Sequence, residues 1–180
     1  MGESSAKVPL QKFVDFSLPG VDGKNHALQD LADKKAVIVI FSCNHCPYVQ
    51  AYEDRVIAIQ KDYSAKGVQV VAINSNDSIN YPEDNFENMV RRAKDRKFNF
   101  LYLRDESQAT AKAYHATHTP QIFLFDRSGA LRYTGKIDDN WKEPGKVVKR
   151  YLRDALDQVL AEKPVAEPET FAIGCTIKWK

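Results

Sequence analysis

Residues 36–47 of this 180-residue chain read AVIVIFSCNHCP, and this stretch decides the fold. The β-branched run at its start predicts a buried central strand. Pro47 favours the first turn of a helix, where its missing N–H is no loss. Cys43 and Cys46 therefore lie on a turn from strand to helix. Backbone N–H groups and the helix dipole favour a thiolate at such a turn, so the pair predicts thiol–disulfide exchange.

Two other interpretations of the cysteine pair are open. The pair could be half of a structural zinc site, but such a site needs a further pair of Cys or His ligands. Cys175 is the one other cysteine of the chain, and it is solitary. The pair could also be two inert thiols in the core. The strand before the pair and the proline after it favour redox chemistry over both.

A length of 180 residues fits one domain with a sizeable core, and a hydrophobic fraction of 43% is ordinary for a soluble globular protein. Lys and Arg number 26 against 24 Asp and Glu, which gives a net charge of +2, and the charges are interspersed. No basic stripe supports nucleic-acid binding, and no segment predicts a membrane span. The first residues lack an apolar signal core, so we predict a cytoplasmic protein. In that compartment a close cysteine pair is more often catalytic or metal-binding than a stable disulfide.

The patterns on either side of residues 36–47 predict alternating strands and helices. Residues 11–33 contain two turn signals around short apolar pieces, which indicates a hairpin followed by a helical turn. Periodicity predicts the remaining elements: strand 35–42, helix 47–66, strand 68–73, helix 82–97, strand 98–103, helix 107–114, strands 121–125 and 130–133, and a last helix over 148–160. We predict a domain at 1–163 and a tail at 164–180 that packs on it and ends in an edge strand at 173–179. This order predicts an α/β fold with a mixed sheet and helices on both faces.

Thr119 and Pro120 stand at the entrance of the predicted strand 121–125. Proline in a sheet is confined to strand ends, edges and bulges. A proline at the start of a central strand indicates a fixed X-Pro bond, which is trans by general frequency and cis in some folds.

These features together resemble the thioredoxin superfamily, which combines a cysteine pair at a strand–helix corner, βα units, and a Thr-Pro before a hairpin and a final helix. The opening FSLPGVDGK at 16–24 and the extra helix at 82–97 are similar to its redoxin or peroxiredoxin-like (AhpC/TSA-related) branch. The motif CNHCPYV at 43–49 and the ending GCTIKW at 174–179 resemble a subgroup of bacterial thioredoxin-like proteins. The resemblance covers residues 11–180.

The resemblance implies a thioredoxin-like fold with a central mixed sheet flanked by helices, an N-terminal hairpin and one inserted helix. It implies that Pro120 is a cis-proline packed against the disulfide, and that Thr119 offers its backbone to a bound substrate strand. It also places His45 and His118 near the sulfurs. An imidazolium there would stabilise the Cys43 thiolate, and a neutral ring would carry its proton. His118 could equally be a loop histidine without a role.

Two departures from the family's patterns bear on the activity. Thioredoxins carry a buried carboxylate six residues before the first cysteine, and this chain has Val37 there, so the proton must come from elsewhere. Peroxiredoxins carry Pro and Thr seven and three residues before the peroxide-reactive cysteine. Ahead of Cys43 those positions are Ala36 and Ile40, and ahead of Cys46 they are Val39 and Cys43. Peroxidase activity is therefore not expected.

The predicted function is a thiol–disulfide oxidoreductase that needs no cofactor or metal and uses Cys43, Cys46 and His45. Cys43 attacks a substrate disulfide and Cys46 resolves the mixed disulfide. The expected partners are protein or small-molecule thiols and disulfides and a cellular reductant. The alternative is a metal-binding module that holds Cu(I) or Zn with Cys43, Cys46 and His118. Cys175 fits a small hydrophobe better than a resolving thiol, and with His118 it is a candidate modulator.

Overall fold

The computed structural model describes residues 10–180. Its strands are β1 (Ser17–Pro19), β2 (Asn25–Ala27), β3 (Ala36–Ser42), β4 (Val68–Asn74), β5 (Leu101–Arg104), β6 (His118–Thr119), β7 (Gln121–Asp126), β8 (Leu131–Gly135) and β9 (Cys175–Thr176). Its α-helices are α1 (Pro47–Tyr63), α2 (Phe86–Asp95), α3 (Ala109–Ala113) and α4 (Tyr151–Leu160). Short 3-10 turns lie at Leu28–Leu31, Ser64–Lys66, Pro82–Asp84 and Pro144–Lys146. Within residues 10–180, no helix has the length and apolar character needed to cross a membrane.

The central sheet has five strands in the order β5-β4-β3-β7-β8. β3, β4 and β5 are parallel, whereas β7 is antiparallel to both β3 and β8. All seven residues of β3 are buried, as expected for a central strand that is covered on both faces. β1 and β2 form an antiparallel hairpin ahead of the sheet. The predicted α/β fold, a mixed sheet flanked by helices with an N-terminal hairpin, is confirmed.

Alternate side chains of β3 point to opposite faces of the sheet and reach two different cores. Ile38 and Ile40 pack with residues of α1 and α4. Val39 and Phe41 pack on the other face, in a cluster that contains the fully buried Tyr114. Burial of a side chain such as Ile38 contributes about 1.5–3 kcal/mol. The two cores therefore fix the end of β3, and with it the cysteine turn.

The predicted helix 82–97 is divided in two. The 3-10 turn Pro82–Asp84 comes first, and α2 begins only after Asn85. Asn85 has an extended backbone, and its side chain accepts the Asn88 N–H at 2.8 Å, so it caps the new helix. The division has a consequence for the site, because it turns the buried Asp84 toward the cysteine turn.

The predicted last helix begins at Tyr151 rather than at Val148, whose side chain is 85% exposed. Hydrogen bonds between the backbone at 148–149 and Asp139, in the loop after β8, take the place of the first helical turn. Asp139 accepts the Val148 N–H at 3.0 Å, and the Asp139 N–H donates to the Lys149 carbonyl at 3.1 Å. The remaining apolar face is buried as predicted, through Leu152, Ala155, Leu156 and Val159.

The C-terminal tail returns to the end of the sheet that carries the cysteines. β9 pairs with β6 in antiparallel register, with Cys175 opposite Thr119. Further along, the Asp77 N–H donates to the Lys178 carbonyl at 2.8 Å. The edge strand predicted at 173–179 is therefore two residues long, because the chain beyond it bonds to a loop instead of a strand.

Candidate active site

Cys43 and Cys46 lie at the turn from β3 to α1. Cys46 is the N-cap residue of α1, and Pro47 is the first residue of that helix. Cys43 is 2% exposed and Cys46 is fully buried, and both are free thiols. The helix therefore places Cys46, rather than Cys43, at the positive end of its dipole.

Thr119 and Pro120 lie directly against these sulfurs, and the peptide bond between them is cis. The Cys43 Sγ is 3.6 Å from the Thr119 Oγ1. The Cys46 Sγ is 3.4 Å from the Thr119 carbonyl oxygen. Residues far apart in the sequence thus form one site at the end of β3, with the cysteine pair on one side and the Thr-Pro bond on the other.

Asp84 is a buried carboxylate beside the cysteine pair, and it was not among the predicted site residues. Its Oδ2 lies 2.6 Å from the His45 Nδ1, and its Oδ1 accepts the Asn44 N–H at 2.7 Å. The Asn76 amide donates to it as well, at 2.9 Å. One ligand atom each from Cys43, His45 and Asp84 lie within 4.8 Å of one another. The imidazole between the cysteines is therefore paired with a carboxylate rather than free to act on a sulfur alone.

Asn44 holds the turn between the cysteines to two other elements. Its side-chain amide donates to the Glu83 carbonyl at 2.9 Å, and its Oδ1 accepts the Tyr102 hydroxyl at 2.7 Å. Burial keeps the pKa of Tyr102 well above its ordinary value, so the hydroxyl remains a donor. The Gln50 side chain also donates to the Asn44 carbonyl, at 2.8 Å. Asn44 therefore braces the turn between the cysteines.

The pKa values of Cys43 and Cys46 are shifted in opposite directions. Interaction with the Cys46 sulfur, burial and the Asp84 carboxylate hold the pKa of Cys43 well above its usual range. Hydrogen bonding from Cys43, from the Cys175 thiol and from the Val49 N–H lowers the pKa of Cys46 to about 4, against the effect of burial. The two cysteines therefore titrate as a coupled pair, in which the surroundings favour the proton on Cys43 over the proton on Cys46.

Cys175 is part of the same cluster. Its Sγ is 2.7 Å from the Cys46 Sγ, and its side chain packs against the cluster of Cys43, Cys46 and Val49. Burial and the neighbouring Cys46 raise the pKa of Cys175 to about 11. The tail therefore brings a third thiol to the cysteine pair.

His118 stands in β6, and its Nδ1 forms a 2.8 Å hydrogen bond with the Thr117 hydroxyl. No hydrogen bond within residues 10–180 joins His118 to Cys43 or Cys46. Among the described residues, one set of three potential metal-binding side chains converges, namely Cys43, His45 and Asp84. The set predicted from the sequence to hold copper or zinc was Cys43, Cys46 and His118. These three side chains do not form a converging set among the described residues.

A signal for Asp84 was present in the sequence. The strand predicted at 68–73 is followed by polar residues at 74–77, and all four are buried in the structure. Parallel strands end at the same edge of a sheet, so a polar cluster after β4 lies next to the cysteine turn after β3. Asp84 completes this cluster through its bonds with Asn76 and Asn74. Such a cluster in the core requires an internal charge or acceptor to satisfy it.

Comparison with solved structures gives matches over nearly the whole chain. A hypothetical protein from Sinorhizobium meliloti is 38% identical with a TM-score of 0.91, and the match covers 98% of this chain and 97% of that chain. An uncharacterized conserved protein from Geobacillus kaustophilus is 40% identical with a TM-score of 0.89, and the match covers 97% and 94% of the two chains. A thiol:disulfide interchange protein of the thioredoxin family from Chlorobium tepidum shares the fold, with 20% identity, a TM-score of 0.63 and coverage of 87% and 98%.

No curated protein matches this chain. The sequence model of the Redoxin family does match, over residues 7–152, a span that contains the cysteine pair, the buried carboxylate and the Thr-Pro bond. This span is most of the chain, and the solved structures above share its thioredoxin-like fold. The chain belongs to the redoxin family.

Proposed function

We propose that the protein is a thiol–disulfide oxidoreductase in which Cys43 and Cys46 alternate between a dithiol and a disulfide. The observation that carries the proposal is the pair of adjacent free thiols at a helix N-terminus, in contact with Thr119. A stabilised thiolate beside a second thiol is the arrangement that thiol–disulfide exchange requires. The thiol:disulfide interchange protein from Chlorobium tepidum, which has the same fold, supports this reaction class.

Cys43 is the sulfur that we assign to the attack on substrate. Cys46 is enclosed between the Thr119 carbonyl and the Cys175 sulfur, whereas Cys43 retains a little exposure. The Cys46 thiolate serves as the base, because it accepts the Cys43 proton as Cys43 approaches the substrate disulfide. As a thiol, Cys46 can donate its proton to the Thr119 carbonyl.

The bonds and electrons balance over the cycle. Cys43 bonds to one substrate sulfur, the substrate disulfide breaks, and the departing thiolate takes the proton held by Cys46. The Cys46 thiolate then attacks the Cys43 sulfur, which forms the Cys43–Cys46 disulfide and releases the second substrate sulfur as a thiolate. The substrate gains two electrons, and an external thiol reductant of the cell returns the dithiol. We place this cycle in the cytoplasm, where a dithiol is maintained.

The direct test is catalysis of insulin disulfide reduction by dithiothreitol. The wild-type protein is expected to accelerate the reaction in proportion to its concentration, and alkylated protein is expected to leave it at the uncatalysed rate. Equal rates with native and alkylated protein would reject the proposal.

Metal binding is the competing hypothesis, and metal content separates the two. The set Cys43, His45 and Asp84 offers one ligand atom of each kind that zinc accepts. Asp84 is already engaged by the His45 ring and by the Asn44 N–H, so we expect protein purified without chelator to contain much less than one metal per chain. A stoichiometric metal that suppresses alkylation of Cys43 would support the metal-binding function instead.

Hydrogen peroxide is expected to be a poor substrate. The positions that carry Pro and Thr in peroxiredoxins are Ala36 and Ile40, which are buried, apolar and without a side-chain donor for a peroxide oxygen. Peroxide consumption, followed with a coupled thiol reductant, should not exceed that of free thiols of similar pKa. Rapid turnover that disappears in Cys43→Ser would restore the peroxidase interpretation.

A further inference from the structure

The tail holds the third sulfur close to the position of a bond. The Sγ atoms of Cys175 and Cys46 are 2.7 Å apart, and a disulfide bond is about 2.05 Å long. The Cys175 side chain packs against the cluster of Cys43, Cys46 and Val49, so the contact belongs to a packed site. Bond formation therefore needs a small local shift of the two sulfurs and no displacement of the tail.

The strand pairing that carries Cys175 depends on a close approach of two backbones. A Cβ atom on Gly174 would lie 2.0 Å from the Thr119 carbonyl oxygen and 2.6 Å from the carbonyl carbon. β9 can therefore sit this near to β6 because residue 174 has no side chain. The close approach sets Cys175 opposite Thr119, whose carbonyl faces Cys46.

We propose that Cys175 is a third redox-active cysteine. It displaces Cys43 from the disulfide with Cys46, so that the Cys43–Cys46 disulfide becomes a Cys46–Cys175 disulfide. The proposal rests on the proposed function, because the exchange starts from the disulfide of the pair. The Cys46–Cys175 disulfide links the tail covalently to the N-terminus of α1 and leaves Cys43 as the free thiol of the oxidised protein.

The exchange is internally balanced. The Cys175 thiolate attacks the Cys46 sulfur, the Cys46–Cys175 bond forms, and the Cys43–Cys46 bond breaks. Cys43 leaves as a thiolate and takes up the proton that Cys175 has lost. No electron enters or leaves the protein, so the step needs neither an oxidant nor a reductant.

Charge supports the order of these events. In the reduced protein, burial and the charge on Cys46 both raise the pKa of Cys175. When Cys46 enters a disulfide, its charge is gone and one of these two causes disappears. Cys175 therefore becomes the stronger nucleophile when its target bond exists, and it remains a thiol while Cys46 is reduced.

Disulfide mapping of the oxidised protein tests the proposal. The protein is oxidised with diamide, which takes two electrons from each dithiol, then alkylated with iodoacetamide and digested with trypsin without reduction. Residues 36–55 form one tryptic peptide that holds both Cys43 and Cys46, and residues 154–178 form the peptide of Cys175. We expect a cross-linked product of the two peptides, with Cys43 alkylated. A wild-type protein whose only disulfide lies within peptide 36–55 would overturn the proposal.

Two cysteine variants sharpen this result. Cys43→Ser should form the Cys46–Cys175 disulfide quantitatively within one chain, whereas dimers or unreacted thiols there would contradict the proposal. Cys175→Ser should keep the disulfide within peptide 36–55 and protect Cys43 from alkylation. Alkylation of Cys43 to the wild-type extent in oxidised Cys175→Ser would show that Cys175 does not release it.

A matched pair of glycine variants tests the role of the tail. Gly174→Ala should displace β9 and reduce the cross-link several-fold, whereas Gly145→Ala, where a Cβ meets nothing within 4 Å, should leave it unchanged.

Insulin reduction by Cys175→Ser keeps the two proposals apart. Catalysis by this variant together with an absent wild-type cross-link would reject the exchange and leave the oxidoreductase function standing. The predicted outcome is a wild-type cross-link that Gly174→Ala weakens and Gly145→Ala retains, and equal cross-linking in both glycine variants would contradict it.

Discussion

Cys43→Ser is expected to abolish insulin reduction, and Cys46→Ser with Cys175→Ser is expected to trap the substrate as a mixed disulfide. The first variant loses the sulfur that attacks the substrate. The second keeps that sulfur and loses both thiols that could displace the substrate from it, since Cys175 lies 2.7 Å from Cys46. Intact-mass spectrometry under non-reducing conditions should show one substrate adduct per chain of the double variant, and turnover should fall to the uncatalysed rate.

The matched control is the Cys175→Ser single variant, which retains the pair and should release its substrate. Comparison of Cys46→Ser with the double variant also shows whether Cys175 can act as the resolving thiol. Steady turnover by the double variant would mean that Cys43 does not form the mixed disulfide. Full activity of Cys43→Ser would reverse the assignment of the two cysteines.

Asp84→Asn is expected to make Cys43 markedly more reactive. The Asp84 carboxylate is fully buried, lies within 4.8 Å of the Cys43 sulfur and is one cause of its raised pKa. Removing that charge lowers the pKa of Cys43, because a thiolate beside a carboxylate suffers like-charge repulsion. The thiolate fraction far below a pKa changes tenfold for each pKa unit, so the rate of alkylation by iodoacetamide at about pH 8 should rise by about tenfold or more.

The measurement uses a Cys46→Ser, Cys175→Ser background, in which Cys43 is the one thiol of the chain. Glu83→Gln is the matched control, because it removes an adjacent carboxylate that is exposed and should change the rate little. Equal rates for Asp84→Asn and Glu83→Gln would show that the buried charge does not control Cys43.

The strand–helix corner was predictable because its causes are local. A β-branched run, a cysteine pair and a proline each act on their own few residues, and together they fix β3, the turn and the start of α1. The approach of Thr119 and Pro120 to the sulfurs came from the family resemblance rather than from any local signal. It depends on the antiparallel pairing of β7 with β3, which joins parts of the chain far apart in sequence.

The polar run at 74–77 indicates a buried polar cluster, but no local pattern identifies Asp84 as its charge or Cys175 as the third thiol. Asp84 follows Pro82 and Glu83, a combination that equally fits the acidic first turn of a helix. Its burial results from the Asn85 cap, which ends the 3-10 turn and starts α2 one residue later. Cys175 lies far from Cys46 along the chain, and its position depends on one glycine and two residues of strand. Contacts of this kind are set by tertiary packing and leave no periodicity in the sequence.

A redox titration of the wild-type protein tests the central claim most directly. The protein is equilibrated with mixtures of reduced and oxidised glutathione, quenched with acid, and its free thiols are counted by mass spectrometry after alkylation. The account predicts a reversible two-electron transition in which the free thiols fall from three to one per chain. Because the Cys46 thiolate stabilises the reduced form, the midpoint should lie above the value of about −270 mV for thioredoxin. Retention of all three thiols across the whole range, or their irreversible loss, would contradict the assignment of Cys43 and Cys46 as a redox-active pair.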